Sequence, residues 1–176
     1  MNMIRAAMAF AAALAILAIA AMPAAAATFS SGTVNKRIPE IGVAVSKIKV
    51  DANSLDDLNV KVRLSHSYTP DLTIGVLGPG KNGEFTELFA GWGTDDDNNL
   101  GFGSKSCSGT FTTFDDEGPF ELADGVNPYT AGSFQPDEAL SEYDDERVKG
   151  TWRLYVFDTN QDDGGTLHCW QLRMQG

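Results

Sequence analysis

The chain has 176 residues, with 24 acidic side chains against 13 basic ones and a formal net charge of −11. So acidic a surface argues against nucleic acid or an anionic membrane as a partner, and it suits a protein that binds hard cations. The two cysteines form no CxxC pair, and with only two histidines they match no zinc signature.

The N-terminus reads as an export signal. Arg5 precedes an apolar run from Ala6 to Ala21, Pro23 breaks it, and Ala25-Ala26-Ala27 offers the small residues that a signal peptidase reads. A membrane anchor is the competing reading. The run from Ala6 to Met22 is short for a bilayer span, however, and an A-x-A site comes at once after it. Cleavage after Ala27 is therefore expected, giving a secreted or periplasmic protein. Residues 1–27 hold one basic residue and no acidic one, so the net charge moves from −11 to −12. Residues 28–37 form a short lead-in, and 38–176 is long enough for one domain.

Strand signals dominate the chain beyond the leader. Val43 and Val45 alternate, and the phase slips before Ile48 and Val50, which predicts a β-bulge near Ser46 or Lys47. Leu58, Val60, Val62 and Leu64 alternate with polar residues, the period of a strand with one buried face. Leu72, Ile74 and Val76 repeat the pattern after a turn at Thr69-Pro70-Asp71. Gly78-Pro79-Gly80 and Lys81-Asn82-Gly83 mark the next reversal. Thr110 to Phe114, then Trp152, Leu154 and Val156, are further strands. Leu167, Trp170, Leu172 and Met174 form the last, with one slip of phase. No segment after residue 27 holds a helical period. The expected fold is an all-β sandwich of antiparallel strands with Trp152 and Trp170 in its core. In an oxidising compartment Cys107 and Cys169 pair, closing a loop worth about 4 kcal/mol on the chain-entropy model.

Oxygen ligands concentrate in the loops. Asp95, Asp97 and Asn99 alternate in one, Asp158, Asn160 and Asp162 in another, and Asp115-Asp116-Glu117 comes after the Thr/Phe strand. Alternate carboxylates in a tight turn converge on a calcium ion, although neither loop is an EF-hand: Leu100 and Asp163 stand where its glycine belongs. Plain turn chemistry of Asp, Asn and Gly is the alternative. The expected calcium ligands are Asp95, Asp97, Asp115, Asp116, Asp158 and Asp163, with Asp71 a lesser one, gathered near one another at strand ends. Catalytic signals are scarce: there is no Gly-x-Ser-x-Gly elbow, and His66 falls where a structural histidine is expected.

Several motifs together resemble a known family. Ile38-Pro39-Glu40, Asp57-Leu58-Asn59-Val60 through His66-Ser67-Tyr68, and Asp71-Leu72-Thr73-Ile74 come first. Thr113-Phe114-Asp115-Asp116-Glu117, Gly150-Thr151-Trp152-Arg153-Leu154 and Gly165-Thr166-Leu167-His168-Cys169-Trp170-Gln171-Leu172 complete the set. From Ile38 to Met174 the chain resembles the P (P/Homo B) domain of proprotein convertases and bacterial subtilisin-like proteases. The resemblance implies a jelly-roll sandwich, bound calcium, and a non-catalytic module that binds or stabilises an extracellular protein such as a subtilisin-like protease. The protease domain that accompanies the family's module has no counterpart before residue 38. Two other readings remain: a carbohydrate-binding jelly roll using Trp92, Tyr129 or Tyr143, and an enzyme hidden by the resemblance. Intact-mass analysis of the exported chain is expected to show Thr28 first and no free thiol; a chain beginning at Met1 would refute the leader assignment.

Overall fold

The computed structural model describes residues 26–93, 99–103, 105–124 and 131–176. Asp95, Asp97, Tyr129 and the leader up to residue 25 lie outside the described residues. The strands are β1 (Ala27–Ser30), β2 (Lys36–Ile38), β3 (Gly42–Val50), β4 (Asp57–His66), β5 (Leu72–Leu77) and β6 (Thr86–Ala90). They continue with β7 (Thr112–Phe114), β8 (Phe120–Glu121), β9 (Gly132–Gln135), β10 (Gly150–Asp158) and β11 (Gly165–Gln175). One sheet runs β1-β11-β4-β7-β9-β8, with β2 also on β11; the other runs β3-β10-β5-β6. The only helical turns among the described residues are three short 3₁₀ segments. The pairing is antiparallel except for β7–β9 and β8–β9, which are parallel.

Alternation decides which side chains fill the space between the sheets. Leu58, Val60, Val62 and Leu64 from β4 meet Leu72, Ile74 and Val76 from β5 and Trp152, Leu154 and Val156 from β10, all buried. Trp152 donates its indole N–H to the Val148 carbonyl at 2.9 Å. Trp170 donates to Ser46 Oγ across the sandwich at 2.9 Å. The phase slip in the last strand is a bulge between Leu167 and Cys169. Cys169 is thereby turned to the disulfide with Cys107, at a Cα–Cα distance of 5.2 Å.

The bulge expected in β3 does not exist: Gly42 to Val50 pair without a break against β10. Ala44, Ser46, Ile48 and Val50 face the core, while Val43 is 41 % exposed. The pattern misleads because a polar residue, Ser46, occupies a core position as the acceptor for Trp170. Val43 and Val45 therefore belong to the outer face.

Outside the sandwich, β4 carries Arg63, which is 2 % exposed under the loop from Asn99 to Phe111. Its guanidinium donates to the carbonyls of Ser106, at 2.6 Å, and Ser108. Glycines let the loop come this close: a Cβ at Gly101 would stand 2.7 Å from Arg63 Cγ and 2.6 Å from the Thr110 carbonyl.

Replacing Ser46 by Ala would leave the buried Trp170 N–H without an acceptor. The expected loss is about 1–3 kcal/mol in urea unfolding, and Ser46→Thr should recover part of it.

Candidate functional site

The two ends of the sandwich differ in how they treat their carboxylates. At one end, β4 finishes at His66, β5 begins after Asp71, and β10 finishes at Asp158, which lies opposite Leu72 and Gly42. His66 Nε2 meets Asp158 Oδ2 at 3.0 Å with both side chains fully buried. The other ring nitrogen sits 2.8 Å from the Tyr68 carbonyl and 3.2 Å from the Tyr68 N–H. Asp158 Oδ1 accepts from the Asn160 N–H at 3.1 Å, and Asp71 Oδ1 from the Asn160 amide at 2.8 Å. Ser67 donates to Asp163 at 2.5 Å. These carboxylates are held by protein donors, and His66 is the structural histidine that its strand position implies.

At the other end, about 30 Å away along the ten residues of β4, stand Asp57, Asp115 and Glu117. One ligand atom from each lies within 4.8 Å of the other two, which is the reach of oxygens sharing one ion at 2.3–2.6 Å. Asp115 is braced by Ser133 Oγ and by the Glu117 N–H, both at 3.1 Å. Asp57 accepts from the Gln175 amide and from Asn59 Nδ2 at 3.4 Å. Asp116 faces elsewhere: its two oxygens accept from the Leu140 and Ser141 N–H groups at 2.8 Å each, capping the 3₁₀ turn Leu140–Tyr143.

The expected convergence of all the acidic loops is therefore corrected. Asp71, Asp158 and Asp163 lie at one end, and Asp115 and Asp116 at the other, because antiparallel strands send successive loops to opposite ends. Asn99, at the foot of the first acidic loop, accepts from the His66 N–H at 3.2 Å. Asp57 is the partner that the sequence did not reveal, since it reads there as the first residue of a strand.

Charge crowding sets this end apart. Burial, followed by the hydrogen bond with Asp115, pushes the Glu117 carboxyl above the usual range. Burial, then Asp116 and Asp57, push Asp144 up as well. Asp144 Oδ1 is buried and has no hydrogen-bond partner among the described residues. Clustered hard oxygen donors fit a calcium ion, although Lys61 and Arg173 line the same cavity as Asp115.

The other readings also meet the structure here. Tyr143 is 1 % exposed, donating to the Val76 carbonyl at 3.0 Å, so it offers no platform to a sugar. Trp92 is half-buried with its N–H on the Asp137 carboxylate at 2.7 Å. His168 accepts at Nε2 from Ser65 Oγ (3.1 Å), and its Nδ1 faces Asn35 Oδ1 (2.9 Å), the order of a nucleophile, a base and an orienting group. Ser65, however, lies within the ladder of β4, paired to Thr166. Arg63, which lines the same cavity, is already committed to carbonyls. Burial, then Arg63 and Lys105, hold His168 below the ordinary histidine range.

The family model described as "Proprotein convertase P-domain" matches residues 55–174. No curated protein matches the chain. Among solved structures, the serine protease of Aeromonas sobria in complex with its chaperone is 17% identical with a TM-score of 0.56, over 88% of this chain and 27% of that one. The same protease solved by itself is 16% identical with a TM-score of 0.54, over 89% and 28%. The chain thus spans little more than a quarter of either neighbour's length, and at this identity the likeness is one of fold.

The raised carboxyls have a defined pH signature. A group whose native pKa lies above its unfolded value binds protons more readily when folded, so it costs stability at neutral pH. That cost is relieved as the pH falls through the raised value toward the unfolded one. Asp144→Asn is expected to stabilise the protein at pH 7 by on the order of 1 kcal/mol, with the gain shrinking as the pH falls toward about 4. Urea unfolding of both proteins across that range measures it, and a pH-independent gain would refute the crowding. His168 acts in the opposite sense, its contribution falling away as the pH drops below about 6.5.

Proposed function

Because the chain belongs to the proprotein convertase P-domain family, we infer that it is an exported accessory module of subtilisin-like proteolysis, binding or stabilising a protease or another exported protein rather than cleaving peptides. The observation that carries this reading is the family match over residues 55–174 on a sandwich that occupies about a quarter of a serine protease in its structural neighbours. Calcium is the proposed stabilising ion. The cluster of Asp57, Asp115 and Glu117 supports it, with Asp144 as a neighbouring acid that a divalent cation would relieve. Among the described residues Asp71, Asp158 and Asp163 do not bring three ligand atoms together in this way, which favours the Asp57–Asp115–Glu117 cluster as the principal site. Bound calcium would fix the start of β4 to the end of β7 and so rigidify one end of the sandwich for docking.

The purified chain is expected to hydrolyse neither casein nor fluorogenic peptides, and to raise the melting temperature of a subtilisin-like protease mixed with it. Hydrolysis that disappears on Ser65→Ala or His168→Ala would overturn the accessory reading. Saturating calcium should stabilise the chain, by about 2.7 kcal/mol at a hundredfold excess over Kd. Asp115→Asn with Glu117→Gln should abolish that increment, and a melting midpoint indifferent to both calcium and chelator would remove calcium from the account.

A further inference from the structure

The outer face of the four-stranded sheet is built unlike the rest of the surface. Its register sets Phe157 beside Val43 and Thr73, Tyr155 beside Val45 and Gly75, and Arg153 beside Lys47 and Leu77. Phe85 lies across Gly75, where a Cβ would stand 2.1 Å from its ring. The three rings form one patch: Phe85 is 6.0 Å from Tyr155 and 5.6 Å from Phe157, and Tyr155 is 6.1 Å from Phe157. All three are half-buried, and Val43 beside them is 41 % exposed.

Charge is sorted on either side of that patch. On β3 stands Lys47, directly opposite Arg153 of β10, with Lys49 next in line on β3. Like charges so placed destabilise a strand pair, and among the described residues none of the three meets a carboxylate. Toward β6 stand Glu84, Glu87 and Glu138, which line one pocket around Phe85 together with Lys81, itself paired to Glu142 at 3.0 Å. There, burial and then Asp137 and Glu138 push the Glu87 carboxyl up. A basic margin and an acidic margin thus flank one aromatic strip, the basic one on a chain that is otherwise strongly acidic.

We propose that this face binds a second copy of the chain, two four-stranded sheets packing face to face about a two-fold axis that runs along the strands. Such an axis lays the β3 edge of one copy over the β6 edge of the other, so Lys47 and Lys49 meet Glu84 and Glu87 twice while the aromatic strips meet each other. An isologous contact of this kind is self-complementary, as closed symmetry demands. The face measures about 19 Å across four strands and about 27 Å along β10, on the order of 500 Å² from each copy. The pair therefore reaches roughly the 1,000 Å² at which specific interfaces begin. The contact is independent of whether the protein serves a protease, since it uses neither the calcium cluster nor any likeness to other proteins.

Sedimentation equilibrium of the purified chain tests it. The expected result is a monomer–dimer equilibrium with a Kd on the order of 10 µM, weakening as salt is raised. Lys47→Glu with Lys49→Glu, and separately Glu84→Lys with Glu87→Lys, should each give monomers with melting temperatures close to the parent's. Mixing the two variants should restore a dimer. A parent chain that stays monomeric to about 1 mM, or charge variants that associate as the parent does, would overturn the proposal. So would two folded variants that fail to pair when mixed, because the aromatic strip would then be serving another partner.

Discussion

The last two strands carry both sheets. β10 lies between β3 and β5 in one, and β11 lies between β1 and β4 in the other. The four-stranded sheet is complete only once β10 is in place and the larger one only once β11 is, and almost every pairing that matters is remote in sequence. Such topologies fold slowly, because loop closure must precede the contacts that reward it. The Trp170–Ser46 hydrogen bond ties the two layers at this point, joining the last strand of one sheet to an edge strand of the other.

Electrostatics is a consequence of that architecture. The ends of an antiparallel sandwich collect turns, and turns in this sequence are made of Asp, Asn and Gly. Where a carboxylate falls beside a buried histidine or an amide donor, it becomes part of the frame, as Asp158 does with His66 and Asp71 with Asn160. Around Asp57, Asp115, Glu117 and Asp144 the carboxylates crowd one another as well as their donors, and burial with that crowding raises Glu117 and Asp144 above the usual carboxylate range. The same amino-acid types therefore act as cement at one end and as mutually repelling charge at the other.

Much of this was legible in the sequence where one physical signal acted alone. The alternation of Leu58 to Leu64 gave β4, the phase slip before Trp170 gave the bulge of β11, and the even cysteine count gave the disulfide. The signal failed where two demands met in one residue. Ser46 is polar because a buried indole needs an acceptor, so hydropathy misplaced the face of β3. Tyr143 carries a hydroxyl that suits a surface, yet that hydroxyl bonds within the core to Val76 and Thr86. Asp57 was hidden because its partners lie some sixty residues on, and no local spacing records a contact made by strand register. The aromatic strip was invisible for the same reason: Phe85 reaches Tyr155 and Phe157 only because Gly75 leaves the space between them.

The disulfide has a meaning beyond closing a loop. It fastens β11 to the segment whose carbonyls, at Ser106 and Ser108, receive the buried guanidinium of Arg63. If that segment lifts away, the guanidinium gives up these two carbonyl acceptors and turns to water. With both thiols reduced, only non-covalent contacts retain the flap, so its loosening exposes a cation at the centre of the larger sheet. Oxidation thereby works as a latch on charge burial, holding the cover over Arg63 by a covalent bond as well as by its hydrogen bonds.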